Sequence, residues 1–350
     1  MFVTVVGLDV VEVPVMQQQI RSTDEEVATW VSSNAKVGEF LPITSSTLSL
    51  ATQSTVEVAG DQVNIELPAD VLFAFGESAL TPAAAEVVDT AGRNIAETAT
   101  ESGEVTIIGH TDDQGGESVN QPLSEARAEA VAQRLRPILG SSITVKTEGR
   151  GSSEPKVPGT TEEARAANRR VEIAFTGRTA GRLVVVDEVP TELPETLGGI
   201  GTGTETVQMP ATALNPALDV RVVSVRREAG HLVGIIEVSA PTEGATNAML
   251  FGDLYATVGG GRSRAYELWS GTMANITLLT PASRVFPADI NAGTADAPQQ
   301  TVLGTRFAEM LPAPGAPRHY VVVWPDAGPD ATTVTVDAPD MFRITDVPIR

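Results

Sequence analysis

The sequence predicts an α+β chain with more than one folded unit: a βαβαβ unit, mixed sheet with helices on one face, and a C-terminal all-β sandwich of immunoglobulin-like type. Three observations carry this. Between residues 61 and 177, strand-length apolar runs alternate with amphipathic helical stretches. From 205 to 350 the pattern switches to period two, in short runs broken by Gly, Pro and Asp, the spacing of an all-β sandwich. Between them, 178–204 is rich in Pro, Gly and Thr and reads as a linker. Residues 1–60 form an N-terminal segment of unassigned role.

Taken in order, the opening "MFVTVVGLDVVEVPV" alternates like a strand. It lacks a basic n-region and carries Asp9 and Glu12 in its apolar part, so it makes a poor signal peptide. Ser22 with Glu25 three residues on resembles a capping box opening a short helix. "TSSTLSLATQST" is a Ser/Thr-rich connector or a strand. In the middle unit, "DQVNIEL" and "DVLFAF" read as short strands. Thr81 and Pro82 supply an N-cap and first-turn proline for a helix whose apolar face is Ala84, Val87, Val88, Ala91 and Ile95. "EVTIIGH" is the next strand, followed by a helix with Leu123, Ala126, Ala130, Val131 and Leu135 on one face. "SSITVKTEGRG" reads as a strand, "TTEEARAAN" as a short helix and "RRVEIAF" as the closing strand. In the C-terminal unit, "DVRVVSVRRE", "HLVGIIEVSA", "AMLFGDLYATV", "ANITLL", "HYVVVWP" and "TTVTVDA" are expected strands, with "VGGGRSR" a hairpin loop.

Charge and composition narrow the function. The net charge of −21 is spread over the chain: −5 over 1–60, −9 over 61–177 and −7 over 178–350. No segment has the basic footprint that nucleic acid demands, so nucleic acid is not an expected partner. The absence of cysteine removes disulfides, thiolate metal sites and cysteine nucleophiles. The three histidines, His110, His231 and His319, lie in no nucleophile motif and read as surface or strand-edge residues. Asp112, Asp113 and Glu117 lack the spacing of a calcium loop, and no cofactor or metal is expected. The Gly-rich run near 198–203 fits neither a P-loop nor a dinucleotide fingerprint.

The stretch "IIGHTDDQGGESVNQPLSEARAEAVAQRL" (107–135) is different: an acidic loop runs from a strand end into a helix that carries an arginine early on. Amides at a helix start favour an anion, and the Arg127 guanidinium grips a carboxylate with two hydrogen bonds. Asp112 offers an acceptor to an ammonium, and Asn120 is an N-cap, a ligand contact or both. These groups suit a zwitterion whose ammonium and carboxylate lie close together. An internal Asp112–Arg127 ion pair pinning loop to helix explains the same residue types.

Residues 63–177 resemble the OmpA-like peptidoglycan-binding domain shared by OmpA, Pal and MotB proteins. The resemblance rests on four motifs in order: "VLFAFGESALTPAA", "GHTDDQGGESVNQPLSEARAEAVAQRL", "GRGSSEP" and "EEARAANRRVEI". Gly76 stands where an acid is usual. The resemblance implies non-covalent binding of peptidoglycan through diaminopimelate in the stem peptide. It implies that Asp112 of the Thr111–Asp112 pair and Arg127 hold that residue, with Asn120 beside them. Arg165, Asn168 and Arg170 fall in the last motif, where a structural role and direct contact both fit. An extracytoplasmic wall-binding protein of the cell envelope is then expected, its C-terminal β unit binding a protein partner or acting as a spacer. Two alternatives remain: a structural or secretion-apparatus component using the wall as a fixed point, and a wall-modifying enzyme with this domain as targeting module.

Overall fold

The computed structural model describes residues 2–6, 10–14, 43–100, 103–177, 192–211, 217–228, 230–239, 275–291, 300–303, 317–328 and 330–350. Strands β1 (Phe2–Val6) and β2 (Val10–Pro14) pair antiparallel, in keeping with the alternating pattern of the opening. β3 (Ile43–Ser49), β4 (Thr55–Ala59) and β5 (Gln62–Pro68) form an antiparallel meander. The capping box at Ser22, the strand "AMLFGDLYATV" and the loop "VGGGRSR" lie outside the described residues.

After β5 comes a short helix, α1 (Ala69–Leu72), and then the predicted alternation: α2 (Pro82–Thr98), β6 (Glu104–Gly109), α3 (Glu117–Leu139), β7 (Thr144–Gly149), α4 (Glu162–Asn168) and β8 (Arg170–Thr176). β6 pairs parallel with β7 and antiparallel with β8, and β8 antiparallel with β5, so the sheet is mixed. Alternate residues of the strands, including Ile65, Leu67, Val105, Ile107, Val171 and Ile173, share one apolar core with Val88 and Ile95 of α2 and Val131 and Leu135 of α3. The Thr81 side chain accepts from the Ala84 amide at 3.1 Å with Pro82 behind it, the start read from the sequence.

Two expectations for this unit need correction. "DVLFAF" is not a strand throughout: Asp70–Leu72 belong to α1. The Ala69 amide donates to Arg169 O at 2.9 Å, and the Phe73 amide back to Ala69 O at 2.8 Å, so the chain turns before a strand can form. The buried stripe of α3 is also rotated from the predicted face. It runs through Asn120, Ser124, Arg127, Ala128, Val131, Ala132, Leu135 and Leu139, whereas Ala126 is exposed. The helix presents polar residues inward in its first turns because it meets strand ends and loops there, where backbone groups offer partners.

The C-terminal unit is built from β9 (Gly199–Thr202), β10 (Val207–Met209), β11 (Leu218–Glu228), β12 (His231–Ser239), β13 (Thr277–Leu279), β14 (Ser283–Val285), β15 (Asp289–Asn291), β16 (Gln300–Val302), β17 (Arg318–Pro325), β18 (Thr333–Ala338) and β19 (Phe342–Pro348). A four-stranded sheet in the order β10-β11-β12-β17 faces the β13-β18-β19 region across a core containing Val222, Ile236, Trp324, Val336, Phe342 and Ile344. The linker expected over 178–204 does not extend to its C-terminal end, because Gly199–Thr202 is β9, paired parallel with β19. A Cβ on Gly199 would meet Gln208 O at 2.3 Å, so glycine there permits close backbone contact rather than chain freedom. Among the described residues, no helix is long and apolar enough to cross a membrane.

Candidate functional site

The loop 110–116 leaves the end of β6 and feeds α3. Its position is set by Gly109, where an added Cβ would lie 2.1 Å from Ser124 O, so the backbone of α3 rests directly on the strand end. Ser124 Oγ accepts from the Gly151 amide at 2.9 Å, and the Gln121 amide group donates to Gly149 O at 2.8 Å, locking α3 to the loop after β7. The Thr111 amide donates to Gly151 O at 2.9 Å. The "GRGSSEP" turn thus serves as a shelf for the helix.

Asp112, 9% exposed, is held from several sides. Its Oδ1 accepts from the Gln114 amide at 3.0 Å, an Asx turn, and its Oδ2 accepts from Arg169 Nη1 at 2.8 Å. The Asp112 carbonyl accepts from Asn120 Nδ2 at 3.1 Å and from the Thr111 hydroxyl at 3.2 Å. Asp113, next along, turns outward and pairs with Arg165 at 2.7 Å, a bond that lowers the carboxyl's proton affinity. The two adjacent carboxylates therefore serve different arginines.

Asn120 is not the N-cap. That position is Gly116, with φ 71°, whose carbonyl accepts from the Asn120 amide at 2.9 Å. Arg127 consequently sits ten residues into α3, about 15 Å along its axis, beyond the reach of the helix-start amides. Its surroundings are its own: the Nε–H donates to Glu77 O at 2.9 Å, and the guanidinium carbon lies 5.1 Å from the centre of the Phe73 ring. Arg127 is only 5% exposed, yet among the described residues no carboxylate lies within ion-pair distance of it. Burial, and then the nearby Arg169 cation, lower its proton affinity, while Asp70 and Asp112 act in the opposite sense. The internal Asp112–Arg127 pair is thus not formed; Asp112 pairs with Arg169 instead.

Arg169 is the residue that sequence reasoning missed. It also binds Asp70 through Nε and Nη2 at 2.8–3.1 Å and Glu162 at 2.9 Å, and the bond to Asp70 chiefly raises its proton affinity. The signal was present in strand alternation: Arg169 shares parity with inward-facing Val171 and Ile173, whereas Arg170 shares it with Glu172. Arg170 accordingly binds Glu172 at 2.8 Å on the face away from the helices. Asn168 spends its side chain on Val157, accepting from the amide and donating to the carbonyl, both at 2.9 Å. Thr111, Asp112, Asn120 and Arg127 are therefore gathered at one site, Arg165 stands at its rim through Asp113, and Asn168 and Arg170 are used elsewhere.

His110 corrects the surface reading. It is 1% exposed, 3.4 Å from Glu172, and burial and then Arg170 push its pKa down to about 4. It follows directly on β6, where its amide donates to Arg170 O at 2.9 Å.

Residues 72–169, which span this mixed sheet, its loop and the buried arginine, match the OmpA family. Relatives include the probable lipoprotein YiaD of Escherichia coli K12, 32% identical over 121 residues, 35% of this chain and 54% of the relative. Another is the peptidoglycan-binding protein ArfA of Mycobacterium bovis, 41% identical over 105 residues, 29% of this chain and 31% of the relative. Outer membrane protein A of Bordetella avium is 35% identical over 109 residues, 31% of this chain and 55% of the relative. The chain thus spans about half or less of the length of these relatives.

Proposed function

We propose that residues 61–177 bind peptidoglycan without covalent chemistry, through diaminopimelate in its stem peptides, and so anchor the chain to the cell wall. The observation that carries this is the Arg127 guanidinium, 5% exposed, with no ion-pair partner among the described residues and within electrostatic reach of Asp112. A buried cation without a counter-ion is costly, and a ligand carboxylate relieves the cost while forming charge-assisted hydrogen bonds. Asp112, with Asp70 and Glu162 gathered around Arg169, leaves an excess of negative charge for an ammonium. The free end of diaminopimelate carries both groups on one carbon; a lysine side chain carries only the ammonium. Thr111 and Asn120 position the Asp112 backbone, and Arg165 borders the site. The name of ArfA and the resemblance of the four motifs support the same reading.

On this reading the protein works in the cell envelope, outside the cytoplasm, and is not an enzyme. The C-terminal unit is read as an immunoglobulin-like sandwich that meets a protein partner. Retention on purified sacculi tests the binding: Asp112→Ala is expected to abolish it with the fold intact. Soluble muropeptides test the ligand: those with diaminopimelate should bind at least tenfold more tightly than those with lysine. Equal binding of the two would end the diaminopimelate assignment, and retention of Asp112→Ala on sacculi would place the contact elsewhere.

A further inference from the structure

The hairpin β3–β4 has one strand in each unit. β4 pairs with β5 over five residues, Thr55↔Glu66 to Ala59↔Gln62, and its Val56 and Val58 belong to the core under α2 and α3. β3 pairs with β4 over five residues, Thr44↔Ala59 to Leu48↔Thr55. Along its other edge β3 meets the C-terminal unit for its whole length. Ser49, Leu48 and Thr47 face Ser283, Arg284 and Val285; the Phe286 amide donates to Ser46 O at 3.0 Å; Thr44 and Ile43 face Asp289 and Ile290. Ile43 packs with Val233, Ala288 and Val323 of the C-terminal unit. The Leu50 amide adds a bond to Ala282 O at 2.9 Å. A continuous path of eleven strands therefore runs from β7 through the hairpin to β9, and β15 and β16, branching from β3, complete a thirteen-stranded sheet.

We propose that this hairpin makes the chain a rigid spacer: the wall-binding unit and the C-terminal β unit are one body, and a ligand of the β unit is held at a set distance and orientation from the bound wall. The physical basis is the ladder itself. Pivoting one unit on the other means breaking the β3–β14 and β3–β15 bonds and exposing β3, whose residues 44–49 are all buried. The spacing of the two units is then set by a strand that precedes both cores in the chain, and not by the segment connecting them at 178–198. The wall as the fixed end rests on the function proposed above; the rigidity does not.

The chain has no cysteine, so Glu104→Cys on β6 and Thr333→Cys on β18, both exposed, give two unique spin-label sites in the full-length protein. They are separated by seven strand-to-strand steps of about 4.8 Å each, within range of pulsed dipolar spectroscopy. The expected result is one narrow distance distribution, unchanged by sacculi, which Thr47→Pro broadens by breaking β3 between its two partners. A second pair inside the wall-binding unit, Glu86→Cys with Glu104→Cys, should stay narrow in Thr47→Pro. A broad distribution in the parent chain overturns the proposal on its own. So does a narrow one in Thr47→Pro. Loss of sacculus binding by Asp112→Ala alongside a broad parent distribution would retain the wall reading and reject only the rigid link.

Discussion

A residue kept for a ligand and not for the fold should be removable without loss of stability, and Arg127→Met tests this most directly. Methionine fills much of the same volume, so packing against Phe73 is preserved. Removing the charge relieves a burial cost of several kcal/mol. It forfeits one charge-assisted hydrogen bond to Glu77 O, about 1.5–3 kcal/mol, and a cation–π contact of about 0.5–2 kcal/mol. These contributions nearly cancel, and the free energy of unfolding should stay within about 2 kcal/mol of the parent, while retention on sacculi is lost. Urea unfolding followed by the helical far-ultraviolet signal reports on this unit, since α2 and α3 are the longest helices among the described residues. Had Arg127 been paired with a carboxylate, its removal would strand a buried anion and cost about 3–5 kcal/mol. A loss of that size would refute the reasoning and make Arg127 a structural residue.

Arg169 and Arg170, adjacent in sequence, should separate by assay. Arg169→Ala should weaken muropeptide binding about tenfold by releasing Asp112, with little added effect in an Asp112→Ala background as judged by a double-mutant cycle. Arg170→Ala should instead lower stability by about 3 kcal/mol, because Glu172 keeps its half-buried place without its partner, and leave binding per folded molecule unchanged. Gly109→Ala should cost about 3 kcal/mol and reduce binding as well, since the new Cβ displaces the backbone of α3 relative to Asp112; an unchanged melting temperature would contradict the close approach. His110, at about 4 when folded and 6.5 when free, binds its proton more readily in the unfolded chain, so stability falls as the pH drops from about 6.5 to 4. The total is about 3 kcal/mol, and His110→Gln, compared with the parent across that range, should remove this share of the slope. The groups facing it, Glu172, Glu154, Arg150 and Arg170, remain in both proteins.

Much of the α/β unit at 61–177 was legible because its signals are local. Thr81 and Thr161 mark helix starts by accepting from the amide three residues on, and inward positions such as Ile65, Ile107 and Ile173 follow from alternation within one strand. An internal ion pair of Asp112 was legible only as an alternative to ligand contact and with Arg127 as its partner, because which arginine reaches Asp112 depends on the direction in which α4 delivers Arg169. The phase of α3 was misread for a related reason. Asn120, Ser124 and Arg127 are polar and look outward-facing by hydropathy, yet each is satisfied or held by backbone that arrives from elsewhere. α1 escaped notice because an apolar run of strand length does not reveal that Arg169 O will capture the Ala69 amide.

By itself the sequence determined the two kinds of unit, the order of elements in the first of them from α2 onward, and the residue types at the site, since periodicity, caps and motif spacing act within a few residues. Only the tertiary structure decided that Arg127 is buried with no carboxylate of the described residues in ion-pair distance, that Arg169 holds Asp112, and that Ile43–Ser49 joins two cores. Each of these depends on groups distant in the chain, and strand pairing across such distances leaves no periodic trace. A strand with Ser and Thr on both faces, such as β3, gives hydropathy little to report. Its place in the sheet is set by the backbone bonds available on either side, and those belong to its neighbours.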